Sequence, residues 1–286
     1  IMSKKYVDKV GMEQAEKRPL GTGPWKVVEH QRGNFIKFEA VKNHWRQTPA
    51  FGYLIVKKVP EESTRIAMLR SGEADIIEMS PLSKKEVESA GFQFRRVPGG
   101  TFATVQLGGQ SLPSRKTHNP SSPWVGPDPE KALKVRKALN LAVNKQAIID
   151  GVLRGEATAM FIGRAATPPD AAWMDPSWKP YPYDPQEAKK LLAEAGYPNG
   201  FEVTMWELPT PGTPWTVELA EAVAMDWEKV GIKVKREVTN LAQVRARMPD
   251  RNMAGYAFGF RFFAYDEPQD WVWSLFHTKS VSNYAY

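Results

Sequence analysis

Residues 201–238 read FEVTMWELPTPGTPWTVELAEAVAMDWEKVGIKVKREV. Phe201, Val203 and Met205 alternate with Glu202 and Thr204, the two-residue period of a strand. Pro214 to Val230 carries apolar residues at helical spacing, with proline at its start and Gly231 just past its end. Ile232, Val234 and Val238 then return to the strand period, with Arg236 in the same register. Strand, helix, strand is a crossover unit, so the two strands are predicted to run parallel. Trp227, on the helix, is expected in the core. A short helix from Leu241 to Met248 leads to a third strand, Met253–Arg261. Open parallel sheets bind ligands beyond the carboxyl ends of their strands. That rule points first at Arg261-Phe262-Phe263-Ala264-Tyr265-Asp266, and second at Trp206-Glu207 and Thr239-Asn240. The candidate ligand-binding residues are Arg261, Phe263, Tyr265, Asp266 and Trp206, with Gln106 from an earlier strand.

Upstream of this unit the punctuation is helical. Asp184-Pro185-Gln186-Glu187 supplies a cap, a proline at the first position and a capping-box acid, and Gly196 ends that helix. Asp128-Pro129 starts another, with Leu133, Val135, Ala138, Leu139 and Ala142 at helical spacing. Asn144 caps a third, holding Ile148, Ile149 and Val152. Residues 156–182 are rich in proline and tryptophan and read as irregular.

The first hundred residues read as strands with two helices. Trp25–His30 and Phe35–Val41 flank Gln31-Arg32-Gly33-Asn34 as a hairpin. Tyr53–Val59 is a β-branched strand, Glu62–Arg70 a helix ended by Gly72, and Asp75–Met79 a short strand. Ser83 and Glu86 form a capping box for a helix to Ala90. Phe92–Val97 and Thr101–Leu107 return as strands. From Gly108-Gly109 to Gly126 the chain is polar and broken by proline, with little to anchor a core, and reads as a crossing between domains. The domains are therefore expected at 1–108 and 109–286.

Composition narrows the chemistry. The chain has 286 residues, 42% hydrophobic and 25% charged, and no cysteine. Disulfides, zinc–thiolate sites and a thiol nucleophile are thereby removed. No apolar run reaches the roughly 18–20 residues that a membrane-crossing helix needs. The chain opens with Ile1-Met2-Ser3-Lys4-Lys5, without the apolar region of a signal peptide. The net charge is +7. Residues 1–110 hold 18 basic and 12 acidic residues and the remainder 21 and 20. The signs are interleaved, as at Lys84, Lys85, Glu86 and Glu88, so a nucleic-acid stripe is not expected. Gly21-Thr22-Gly23 is followed by Pro24, which cannot serve a phosphate-binding loop. His30, His44, His118 and His277 are widely spaced, so no metal site is expected. No nucleophile elbow or catalytic triad stands out. Trp173, Trp178, Trp206, Trp215, Trp271 and Trp273 gather in the second part, where aromatic surfaces suit peptide side chains or sugar rings.

Several short runs, in order along nearly the whole chain, resemble solute-binding family 5, the peptide, nickel and opine binding proteins of ABC importers. They are Gly21-Thr22-Gly23-Pro24-Trp25, Asn43-His44-Trp45, Ser63-Thr64-Arg65 with Gly72-Glu73-Ala74-Asp75, and Val135-Arg136-Lys137-Ala138-Leu139-Asn140. The longest is Tyr183-Asp184-Pro185 through Ala188-Lys189-Lys190-Leu191-Leu192 to Ala195-Gly196-Tyr197-Pro198-Asn199-Gly200-Phe201. The resemblance implies an α/β, two-lobed, type II periplasmic-binding-protein fold, incomplete at both ends, with 1–108 part of the first lobe and 109–286 most of the second. It implies capture of an oligopeptide-like solute between the lobes and delivery to an ABC permease. Catalysis, cofactor and metal are not part of that function.

Tyr265-Asp266-Glu267-Pro268 resembles the family's strand-end segment beside the ligand. Peptide-binding members often place an aspartate just before the aromatic residue, and here that position is Ala264, with Arg261 three residues earlier. Arginine matches carboxylate or phosphate in two-point contact, so an anionic or modified ligand is expected. Oligosaccharide and opine ligands are the alternatives within the family, and a secreted α/β hydrolase is the alternative outside it. The expected protein is a monomer, periplasmic or extracellular, and lipid-anchored in a Gram-positive or archaeal host.

Overall fold

The computed structural model describes residues 3–95, 101–109, 118–160, 175, 177–209, 215–247, 256–263 and 277, and of 256–263 the backbone alone. Contacts divide the chain into two compact units, Ile1–Ile77 and Glu78–Tyr286.

The first unit contains α1 (Lys4–Val10), α2 (Met12–Lys17), β1 (Trp25–Gln31), β2 (Phe35–Ala40), β3 (Tyr53–Lys57) and α3 (Glu62–Ser71). The strands form an antiparallel sheet in the order β1-β2-β3. The hairpin expected around Gly33 is present, with that glycine at φ +82°. Two separate sequence runs meet here: the Thr22 carbonyl accepts from the Trp45 indole at 3.1 Å and lies 2.8 Å from the His44 Nε2. Arg65 donates to the Val59 and Pro60 carbonyls, each at 2.7 Å, pinning the turn between β3 and α3. Gly72 ends α3 in the left-handed conformation, as the sequence predicts. Asp75–Met79 is not a strand, and Ile76 is 90% exposed. A strand needs a hydrogen-bonding neighbour, and no described strand pairs with this segment.

The second unit contains α4 (Lys84–Ser89), β4 (Thr101–Leu107), α5 (Pro129–Leu141), α6 (Lys145–Gly151), α7 (Pro185–Glu194), β5 (Glu202–Glu207), α8 (Trp215–Glu228), β6 (Lys233–Val238), α9 (Leu241–Arg247) and β7 (Tyr256–Phe263). Its sheet has the order β4-β7-β5-β6, with β5 parallel to both β6 and β7, and β4 antiparallel to β7. The parallel crossover predicted from residues 201–238 is therefore present.

Capping follows the sequence at three helices. Asp128 Oδ1 accepts from Glu130 N at 3.0 Å and Lys131 N at 3.2 Å, starting α5. Asn144 Oδ1 accepts from Ala147 N at 3.0 Å, starting α6. Asp184 Oδ1 accepts from Glu187 N at 2.9 Å, starting α7. Ser83 does not cap α4; instead Ser80 Oγ accepts from Leu82 N and opens a 3-10 turn over Pro81–Ser83. Pro81 fits the first position of a helical turn, so the turn begins one step upstream.

The core lies between one face of the sheet and helices α5, α7 and α8. Val203, Met205, Val135, Leu139, Ala188, Leu192, Ala220, Val223, Trp227 and Ile232 are buried in it. Leu133, grouped by spacing with the core residues of α5, is 44% exposed, and its neighbour Ala132 is buried instead. Successive helical residues lie about 100° apart, so a one-residue shift moves a side chain off the stripe. Polar anchors cross between helices. Trp227 donates its indole N–H to the Leu139 carbonyl at 3.0 Å, and the buried Asp226 accepts from Asn144 N at 2.8 Å.

Other expectations change. Phe92–Arg95 is irregular rather than a strand, and 96–97 lie outside the described residues. β4 belongs to the second unit, not with the strands before it, because it pairs along its length with β7. The compact units accordingly divide at 77/78 rather than at 108. The segment ending at Gly126 does hold core residues: Trp124 and Val125 are buried, and the Trp124 indole donates to the Gly108 carbonyl at 2.8 Å.

Gly200, at φ +71°, presses against the turn before β6: a Cβ there would lie 1.9 Å from the Gly231 carbonyl oxygen. Gly196, at φ +98°, has open space around its missing side chain. Gly200→Ala is expected to lower unfolding stability by more than about 3 kcal/mol, through backbone displacement. Gly196→Ala, which meets only backbone strain, should cost about 1–2 kcal/mol. Urea unfolding of both variants checks the ranking, and equal losses would refute it.

Candidate functional site

The carboxyl ends of β5 and β6 are closed by short contacts. Thr239 N donates to the Glu207 carbonyl at 3.0 Å, and Thr216 Oγ1 donates to the Leu208 carbonyl at 2.9 Å. β7 runs further than β5. The last β5–β7 pair is Trp206 with Phe258, whereas Gly259–Phe263 continue to pair with Thr101–Val105 of β4. At about 3.3 Å per residue, the β4–β7 ribbon extends roughly 16 Å beyond the last β5 partner.

The candidate residues fall into three groups against this frame. Gln106 and Trp206 both pair with Phe258, so they share one row across the sheet, which continues to Glu237 on β6. Alternation puts this row on the face away from the core, because Val203 and Met205 of β5 and Val105 and Leu107 of β4 face the core cluster. Arg261 and Phe263 lie on the projecting ribbon, opposite Ala103 and Thr101, and are within the strand rather than beyond it. Tyr265 and Asp266 lie outside the described residues.

Trp206 is only 4% exposed. The Arg247 guanidinium from α9 stands 4.9 Å from the ring centroid. Its indole also bonds to Glu237, whose carboxyl is held below the usual range first by Lys235, with Trp206 and Arg247 adding to the effect. An indole so enclosed, with its N–H engaged, is held in place more than it is a free stacking platform. Spacing along the chain gave no sign of Arg247 or Glu237. Both are brought to Trp206 by the register of β6 and the return of α9.

Glu207 ends β5 on the opposite, core-facing side and is 7% exposed. Its Oε1 accepts no hydrogen bond, and the Arg236 Nε lies 3.8 Å away. Arg236 bonds to Glu221 instead. Burial raises the Glu207 carboxyl above its ordinary range; Arg236 opposes the rise and Glu221 adds to it.

Comparison with known proteins settles the family. Residues 2–283 match the family described as bacterial extracellular solute-binding proteins, family 5 Middle. The chain belongs to solute-binding family 5. Heme-binding protein A of Haemophilus influenzae is 32% identical over 269 residues, 91% of this chain and 46% of its own. The dipeptide-binding protein of Escherichia coli is 30% identical over 244 residues, 82% of this chain and 42% of its own. The structure of the periplasmic binding protein DppA from Helicobacter pylori, in complex with the peptide STSA, matches with a TM-score of 0.67 and 25% identity, covering 96% of this chain and 50% of that one. The fold is that of the two-lobed type II periplasmic binding proteins. The chain spans about half the length of the relatives it matches.

The family 5 sequence runs are structural wherever they are described. Asp184 caps a helix, Gly200 admits a backbone, Arg65 staples a turn, and Arg136 donates to the Trp124 carbonyl at 2.6 Å. They mark the fold and leave the ligand open.

A carboxyl with a raised folded-state pKa holds its proton longer in the folded chain than in the unfolded one. Stability therefore falls as pH rises through that pKa. Glu207→Gln removes this loss, and Arg236 keeps Glu221 as its partner. The variant is expected to melt above the parent at pH 7.5, with the difference vanishing below the ordinary glutamate range near pH 4. A melting-temperature series across that range checks it, and a gain that persists at low pH would contradict the assignment.

Proposed function

We propose that the whole protein is the extracytoplasmic solute-binding component of an ABC importer, taking a peptide-like solute and handing it to the membrane permease. The observation that carries this reading is family membership over residues 2–283, joined to 30% identity with a dipeptide-binding protein. Capture needs no covalent chemistry: selectivity in such proteins comes from an enclosed cleft with a few placed polar groups. The protein is accordingly a binder rather than an enzyme, acts outside the cytoplasmic membrane as a monomer, and carries a lipid anchor if its host is Gram-positive or archaeal. Among the described residues no helix is long and apolar enough to cross a membrane.

The proposed ligand-binding residues are Gln106 and Trp206 on the sheet face away from the core, and Arg261 and Phe263 further along the β4–β7 ribbon, where alternation puts them on the other face, with Tyr265 and Asp266 following in sequence. An arginine on that ribbon favours a solute with a carboxylate or other anionic group. Heme-binding protein A among the relatives keeps a second ligand class in view. Oligosaccharide and opine ligands compete for the same residues, and a secreted hydrolase would be revealed by turnover of chromogenic esters, glycosides or peptides.

Native mass spectrometry of the full-length protein from its source is expected to show a small mass that disappears on denaturation. The Arg261→Ala variant should bind that solute about ten-fold or more weakly by calorimetry, the effect of losing one charge-assisted contact. Unchanged affinity would remove Arg261 from the site.

A further inference from the structure

The row Gln106–Phe258–Trp206–Glu237 crosses all four strands on the sheet face away from the core. Two of its polar groups are engaged, since the Trp206 indole bonds to Glu237 and Arg247 lies over the ring. Gln106 differs. Its side-chain oxygen is sealed from solvent and accepts no hydrogen bond. The other two orphaned side-chain oxygens among the described residues, Ser122 Oγ and Glu207 Oε1, lie elsewhere. Ser122 is in the turn before α5, and Glu207 faces the core side beside Arg236.

A buried carbonyl without a donor is costly, because it has lost water and gained nothing in return. In a strand otherwise made of Thr, Phe, Ala, Val and Leu, an apolar residue would fill position 106 without that cost. The amide oxygen therefore has a use that the unliganded chain does not supply. It also sits on the same row as an immobilised tryptophan, next to the carboxyl ends of the parallel strands where such sheets take ligands.

We infer that Gln106, a half-buried residue, turns its side-chain amide as the solute enters and is a specificity-determining residue whose oxygen then accepts a hydrogen bond from an N–H group of the solute, an amide or an ammonium. This rests on the solute-binding reading above and sharpens it: the solute must present a donor at this row. Sites built around a hydrogen bond discriminate strongly against analogues that cannot make it, since the protein group is then left buried and unpaired.

The test uses the full-length protein with the dipeptide Met-Leu and the tetrapeptide STSA as probes, and with Gln106→Met and Gln106→Glu variants. Methionine keeps the length and removes the acceptor, while glutamate keeps an acceptor oxygen. For a peptide that the parent binds, Gln106→Met is expected to weaken binding about ten-fold or more. Its unliganded melting temperature should be equal to or above the parent's, because an orphaned group has been removed. Gln106→Glu should retain binding. Equal affinity of parent and Gln106→Met overturns the assignment and leaves the solute-binding reading intact, as does a lowered unliganded melting temperature, which would mean that Gln106 is satisfied from within the protein. A parent that takes up neither peptide nor any mass from its source overturns both.

Discussion

The turn before β5 and the turn before β6 touch through their backbones at Gly200 and Gly231, in a space that admits no side chain at position 200. That contact sets where the two parallel strands begin. Lys233 N donates to the Phe201 carbonyl at 2.8 Å, and the pairs then run from Glu202–Lys233 to Glu207–Val238 without a break. A slip of one residue would turn Val203 and Met205 out of the core and bury Thr204 in their place. It would also move Trp206 and Glu207 to each other's faces, setting a carboxylate where the indole now stands. The chemistry of the strand ends therefore depends on two glycines some distance from it.

Around that register the helices are held by a mixture of apolar packing and directed polar contacts. Trp227 fills the core and spends its one donor on the last turn of α5, while Asp226 beside it secures the start of α6. Asp184 serves twice, capping α7 through its side chain and donating its own N–H to the Leu141 carbonyl at 2.8 Å. Such contacts leave few orphaned groups in the core, and the unpaired Gln106 oxygen stands out against them because it lies on the other face. Glu207 is the contrasting case: a carboxylate half-satisfied by a guanidinium that another acid has claimed.

The sequence already carried the architecture of residues 128–238. Its signals there are local: cap residues, prolines and glycines at helix ends, and clear switches between helical and strand periods. Asp128, Asn144 and Asp184 cap the helices that follow them, and the parallel crossover follows from a strand, a helix and a strand in succession. Family membership was also legible, because the runs that define it are these same fold determinants. Where sequence and structure differ, the missing information is non-local. Asp75–Met79 has strand-like composition but pairs with no described strand, and Leu133 is one position off a stripe that only packing defines. Trp124 looked like loop because its anchor, the Gly108 carbonyl, is reached only by folding.

By itself, then, the sequence determined the α/β class, the helix boundaries and the family, all of which rest on interactions among residues close along the chain. The tertiary structure decided which strands are neighbours and hence what the candidate site contains. β4 lies beside β7 although more than half of the chain's second unit separates them, and no period or turn residue encodes that pairing. Only that pairing puts Gln106 and Trp206 on one row through Phe258, and only the return of α9 sets Arg247 over the indole. A hydrogen-bonded register between distant strands is fixed by the closure of the whole sheet, so its consequences for a binding face become readable only once the sheet is formed.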